Sequence, residues 1–383
     1  GADCGHDHRK AQTVENRRRS WQRIAARLSI CLVALLICGP AISETLRIAV
    51  YHTELSRDGP GLLLRDIEQG EDPQILASLR VVAHADADAI VLAGFDYDAN
   101  LAALNAYADR LTGYPYRFAL APNRGLQTGL DGDNDGRLGE PEDAQGYGRF
   151  AGDGGLAILS RWPVQASDVR DLSQITWRDL DGNLAPETTS PNQRLSTTGH
   201  WVVPLKTSEN QSLNIMVWHA TPPVFDGPED MNGKRNHDEA ALWLQLLNGR
   251  LGQTPQPPVI LAGVSNLDPV DGEGINTALN ALLTHPALTD PRPRSPGAQT
   301  AAQADGGVNT THQGDPALDT VDWPDTENRP GNLRVTLALP SSDLTVLQSG
   351  VLWPEAANAP LSQDVQLASR HRLVWLDLCI TTC

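Results

Sequence analysis

Residues 46–51 alternate between two faces, with Leu46, Ile48 and Val50 on one of them, the pattern of a half-buried strand. Apolar runs at 89–92, 155–160, 199–205, 212–218, 258–262, 333–339 and 372–378 predict further strands. Helical spacing runs over 73–85, 101–111 and 238–251, the last ending near Gly252. Strands and helices mix without strict alternation, so the pattern predicts an α+β fold of packed sheets flanked by helices. Long polar stretches at 122–153, 221–238 and 286–330 interrupt it, and loops of that length are usually functional or partly disordered. No repeat or linker divides residues 44–383, which are expected to form a single domain.

Residues 1–43 read differently. Arg17, Arg18, Arg19, Arg23 and Arg27 precede an apolar run from Leu28 to Cys38, followed by Gly39-Pro40 and the small-residue site Ala41-Ile42-Ser43. That order predicts a leader with a secretory signal peptide, and hence a secreted or periplasmic protein. The run is short for a bilayer, so no stable membrane span is expected after cleavage; an uncleaved anchor is the alternative. The formal charge of −17 is unevenly placed, since residues 1–43 hold seven Lys/Arg against three Asp/Glu. The remainder is strongly acidic and repels polyanions, which disfavours nucleic acid as a partner unless a metal bridges the two. Of five cysteines, Cys4, Cys31 and Cys38 fall in the leader. Cys379 and Cys383 are left either to close a small disulfide in an oxidising compartment or to stay as free thiols.

The segment Asp131-Gly-Asp133-Asn-Asp135-Gly136-Arg137-Leu-Gly-Glu140-Pro-Glu142 places carboxylates at loop positions 1, 3 and 5, Gly at 6 and Glu at 12. This is the spacing of an EF-hand-type calcium loop, with Arg137 contributing its backbone carbonyl and Glu142 closing the shell. Gly129, Gly146 and Gly148 bracket the loop and argue against flanking helices. The expected role is a structural Ca2+ clamp on a long surface segment, the alternative a solvated acidic turn. His237, beside Asp238, is expected to cap or tether a helix start. His84 and His312 read as isolated surface residues, and Asp226, Glu229 and Asp230 as shapers of the loop after His219.

Several spaced motifs remain. They are Phe95-Asp-Tyr-Asp98, Gly155-Leu-Ala-Ile-Leu-Ser-Arg161, His219-Ala-Thr-Pro-Pro-Val-Phe-Asp-Gly-Pro-Glu-Asp230, Asp268-Pro-Val-Asp-Gly272, Asn332-Leu-Arg-Val335 and Ser369-Arg-His371-Arg-Leu-Val-Trp375. In this order, over about residues 46–378, the chain resembles a secreted bacterial branch of the endonuclease/exonuclease/phosphatase superfamily. The resemblance implies a two-layer β-sandwich flanked by helices, a four-layer α/β/β/α fold of the DNase I-like kind. It also implies hydrolysis of phosphate esters with a divalent metal held by carboxylates, since hard ions prefer oxygen ligands. Two His and an Asp-x-Asn unit would activate water.

Measured against that pattern, the chain departs at several positions. His52 stands where the first strand ends in Asn, and Gly94 where a metal-binding Glu is expected. Val264-Ser265-Asn266 replaces Asp-x-Asn, Thr336-Leu337 replaces an Asp-Tyr pair, and Arg370 replaces the Asp of the closing Ser-Asp-His. The surviving family positions are His219, Asn266 and His371, with carboxylates lost at Gly94, Val264, Thr336 and Arg370. The expectation is therefore a degenerate, non-catalytic member that binds a protein or a phosphate-containing ligand. The alternative is an active nuclease or phosphodiesterase using Mg2+ or Mn2+. Its ligands would be relocated, with Asp96 or Asp98 standing in for the Glu and Asp268 for the missing Asp.

Overall fold

The computed structural model describes residues 45–208 and 210–380. The expected leader, with Cys4, Cys31 and Cys38, lies outside the described residues, as does Cys383. Cys379 is disulfide-bonded. The chain runs β1 (Thr45–Leu55), α1 (Leu62–Gln69), α2 (Pro73–Ala85), β2 (Ala89–Phe95), α3 (Ala102–Ala108), β3 (Tyr116–Phe118) and β4 (Gly155–Ser160). It continues through β5 (Arg170–Asp171), β6 (His200–Ser208), β7 (Gln211–His219), α4 (Met231–Leu247), β8 (Val259–Val264), α5 (Thr277–Leu283) and α6 (Pro296–Asp305). The last elements are β9 (Val321–Asp322), β10 (Asn332–Leu333), β11 (Thr336–Pro340), β12 (Thr345–Val351), α7 (Ala359–Ala368) and β13 (Val374–Cys379).

Two sheets carry the fold, ordered β12-β13-β1-β2-β4-β3 and β11-β8-β7-β6-β5. Period-two alternation decides which side chains lie between them. Ile48 and Val50 of β1, Ile215 and Val217 of β7, and Ile260, Ala262 and Val264 of β8 meet in the inter-sheet core. Their neighbours point the other way. Ala49 and Tyr51 pack under the helices that hold Ile75, Val82, Leu104 and Val365, whereas Met216, Trp218 and Leu261 pack under those that hold Trp243 and Leu279. The result is helix, sheet, sheet, helix. Each fully buried aliphatic side chain contributes about 1.5–3 kcal/mol relative to exposure, so three such layers fix the strand register firmly.

Helix α2 spans the predicted 73–85, with Asp72 accepting from the Ile75 N–H at 2.9 Å as its N-cap. Two expectations need revision. The apolar run 333–339 is two strands, because the Arg334 N–H turns to Asp268 (2.7 Å) and those of Val335 and Thr336 turn to the Thr320 hydroxyl (2.9 and 3.0 Å). The helix expected at 238–251 begins at Met231, so His237 lies inside it. There His237 bonds Asp238 (2.9 Å) and the Thr277 hydroxyl (3.0 Å), tethering α4 to α5 rather than capping a start. Among the described residues no helix is long and apolar enough to cross a membrane.

Candidate functional site

Alternation places the site. Val50 faces inward, so His52, two residues on, faces inward at the end of the first sheet, and Val217 does the same for His219 in the second. The two imidazoles meet across the sandwich, with ring centroids 4.9 Å apart and edge to face. His371 joins from the segment before β13 and stacks on His52 at 4.2 Å, with Trp323 edge-on at 5.6 Å. Asn266 turns out of β8 with φ 50°, a left-handed conformation that Asn tolerates. Its amide donates to the Ala220 carbonyl at 2.8 Å and lies 3.3 Å from His219 Nε2. His219, Asn266 and His371 thus share one site, with His52 as the ring between the two outer histidines.

The positions where the resemblance expects carboxylates fall around them. Parallel β7–β8 pairing sets His219 opposite Val264, and antiparallel β8–β11 pairing sets Val264 opposite Thr336. One sheet rung therefore reads His219, Val264, Thr336, with both replacements buried. Gly94 lies at an irregularity between β2 and β4 with φ 64°. A Cβ there would come 2.5 Å from His52 Cε1 and 3.0 Å from both ring nitrogens. The imidazole fills the space a longer side chain at 94 would need.

Arg370 turns away to Glu54. Its guanidinium meets one carboxylate oxygen at 2.5 and 2.9 Å, and its N–H donates to the other at 2.7 Å. Burial raises the Glu54 carboxyl, but the bonds from Arg370 outweigh it and hold Glu54 below its ordinary range. Ser369 survives as a tie: its hydroxyl donates to the His52 carbonyl (2.8 Å) and accepts the His371 N–H (3.0 Å).

Electrostatics favour neutral rings. Burial lowers His52 to about 4, with Glu54 opposing and Arg124 and Arg370 assisting. His219 and His371 are also pushed well below the ordinary range, first by burial and then by the neighbouring imidazoles and arginines, since no two of these rings can hold a proton side by side at low cost. The Nδ1 atoms of His52, His219 and His371 are buried without a hydrogen-bond partner, as is Nε of Arg124. An Asn266 amide donating to Nε2 of His219 would put that ring's proton on Nδ1, a buried atom without a partner among the described residues. Arg124 acts on this centre through its charge, lowering His52 and His219; its guanidinium lies 4.0 Å from Asp153 and passes Gly154, where a Cβ would lie 3.2 Å from the guanidinium carbon.

The substitute carboxylates serve loops instead. Asp96 accepts the N–H groups of Arg57 and Gly154, both at 2.8 Å. Asp98 accepts that of Ala103 at 2.9 Å through Oδ2, while its Oδ1 is buried without a partner among the described residues. Asp268 accepts three, from Val270 (2.7 Å), Asp271 (2.9 Å) and Arg334 (2.7 Å). A hard divalent cation at the histidines would thus meet Val264, Gly94 and only the neutral hydroxyl of Thr336 where carboxylates are needed, and the residues present do not fit the family's metal. Among the described residues, the carboxylate and imidazole atoms that converge closely enough to share an ion are those of Asp131, Asp133 and Asp143. Asp135, Arg137 and Glu142 are not in that group, whereas the buried Asp143 is. Asp143 accepts the Gly132 N–H at 2.7 Å, the main cause of its lowered pKa, with burial opposing.

Two site residues carried no local signal in the sequence. Arg124 stands in a long polar stretch. Glu239 is fully buried inside α4 and accepts the N–H groups of Thr197 (2.6 Å) and Thr221 (2.7 Å), fixing the chain two residues beyond His219. Burial pushes its carboxyl up to about 7 against the pull of Arg235.

Two packed sheets flanked by helices, with histidines converging from strand ends of both, are the DNase I-like fold. The chain belongs to the Endonuclease/Exonuclease/phosphatase family, whose model matches residues 67–371. It is similar to a solved endonuclease/exonuclease/phosphatase from Beutenbergia cavernae, with 16% identity, TM-score 0.52, and coverage of 88% of this chain and 71% of that one. A family protein from Bacteroides thetaiotaomicron is matched at 14% identity and TM-score 0.47, over 89% of this chain and 99% of that one. A search of curated proteins returns no match.

Proposed function

We propose that this protein is a secreted, non-catalytic member of its family whose inherited cleft binds a phosphate-containing ligand. One observation carries the reading. The rung beside His219 holds Val264 and Thr336, His52 covers Gly94, and Glu54 is committed to Arg370, so among the described residues the histidines have no hydrogen-bonded carboxylate partner. Loss of a single triad carboxylate costs about 10^4 in turnover, and several are missing here. What the centre does present is donors. Nε of Arg124 and Nδ1 of His219, both without a hydrogen-bond partner among the described residues, suit the oxygens of a phosphoryl group, and the Arg124 guanidinium, which also faces Asp153 at 4.0 Å, supplies charge without a metal. A Ca2+ ion at Asp131, Asp133 and Asp143 would serve structure, closing the loop 131–143.

Calorimetric titration with inorganic phosphate and with phenyl phosphate tests the binding. The wild type is expected to bind in the presence of chelator, and Arg124→Ala to weaken affinity by roughly tenfold or more, the loss of one charge-assisted bond. Equal affinity in the variant would refute the assignment.

A further inference from the structure

The stretch 286–330 folds, with the loop after β8, around a cavity of about 190 Å³ lined by Asp271, Gln303, Asn309, Thr310, His312 and Asp319 among others. Asp319 is only 7% exposed. Among the described residues its carboxylate receives no hydrogen bond, and its electrostatic neighbours are the like charges of Asp268, Asp271 and Asp315. Those three are provided for. Asp268 takes three backbone N–H groups, Asp271 takes those of Gln313 (2.8 Å) and Gly314 (2.7 Å), and Asp315 pairs with Arg294 at 2.6 Å. Burial and these neighbours push the Asp319 carboxyl up to about 8. On the same cavity, the Asn309 amide nitrogen is buried and unpartnered, while its oxygen accepts the Asn332 N–H at 2.8 Å.

A buried carboxylate without donors costs several kcal/mol unless it is protonated or meets a cation. The cavity supplies the room for one. We propose that it binds a small organic ammonium compound, with Asp319 as counter-ion and the Asn309 amide donating to a ligand oxygen. A bare metal ion is the poorer occupant. The convergent ligand set among the described residues lies elsewhere, at Asp131, Asp133 and Asp143, and both Asp271 oxygens already hold backbone N–H groups. The volume is below the ~300–1,000 Å³ of sites for drug-sized ligands, so the occupant has few heavy atoms. An amino alcohol carries both required groups.

Ethanolamine hydrochloride is the probe, titrated against NaCl of equal ionic strength while the melting temperature is followed. The wild type should show a saturable rise of about 2–6 °C at a hundredfold excess over Kd. Asp319→Asn, which keeps the shape and removes the charge, should abolish it. Gln303→Trp, a change at an exposed helix position on the cavity wall, should block entry and abolish it too. If Asp319→Asn does not fold, Gln303→Trp decides. A wild-type melt no different from NaCl overturns the proposal, and so does a rise that survives in either folded variant. A rise produced by CaCl2 or MgCl2 alone and lost in Asp319→Asn would also overturn it, in favour of a metal site.

Discussion

His52 occupies the space into which a side chain at position 94 would grow: a Cβ on Gly94 would lie 2.5 Å from His52 Cε1. The two departures from the family pattern are therefore one packing solution. Restoring the family residue with Gly94→Glu should destabilise the protein by about 1–3 kcal/mol through overpacking, with a further ~1 kcal/mol from its φ of 64°. Adding His52→Asn should recover the packing part but not the backbone part. Urea denaturation of the four proteins in the cycle measures the coupling, and strict additivity would argue that the two positions are independent.

Acid should loosen the site. Burial holds His52 at about 4 in the fold, against an ordinary value of 6.5. A basic group with a depressed folded pKa contributes stability above 6.5 that is lost as pH falls toward 4. His52→Asn removes that contribution, so the wild type should lose more stability than the variant between pH 7 and 4.5. Denaturant midpoints across that range check this, and parallel curves would count against a buried neutral ring.

The acidic loop separates two carboxylates adjacent in sequence. If Ca2+ binds here, it should raise the melting temperature of the wild type and of Glu142→Gln but not of Asp143→Asn. Asp143 is the buried member of the convergent group, and Glu142 lies outside it. Loss of the response in Glu142→Gln alone would restore the loop arrangement expected from spacing.

Arg370→Asp would rebuild the closing Ser-Asp-His of the family. Here it sets a carboxylate against Glu54, which now pairs with Arg370 at 2.5 Å. Because Arg370 is largely exposed, the cost should be about 1 kcal/mol, smaller at high salt. Phosphodiester turnover should not appear. Equilibrium unfolding at low and high salt, with an activity assay, tests both statements.

Much of the layer structure was legible because alternation and helical spacing report burial directly. The strand starting at Leu46 and the helix Pro73–Ala85 follow from their residues alone. The site was legible only as separate positions. That Val264 and Thr336 sit on one rung with His219 depends on pairing between strands distant in the chain, which no local pattern encodes. His52 read as a single departure because sequence cannot show that its ring lies over Gly94. Arg124 was invisible in its polar stretch. The loop spacing pointed to Glu142, and it carries no sign that the turn at Pro141–Asp143 brings the neighbouring Asp143 inward beside Asp131 and Asp133.

The most direct test is hydrolysis of plasmid DNA and of a simple phosphodiester by the folded protein, with Mg2+, Mn2+ or Ca2+ and with chelator. The account predicts no turnover under any of these conditions, while phosphate binding persists in chelator. Chelator-sensitive turnover that disappears in His371→Ala would contradict it and make the histidine cluster a working catalytic centre.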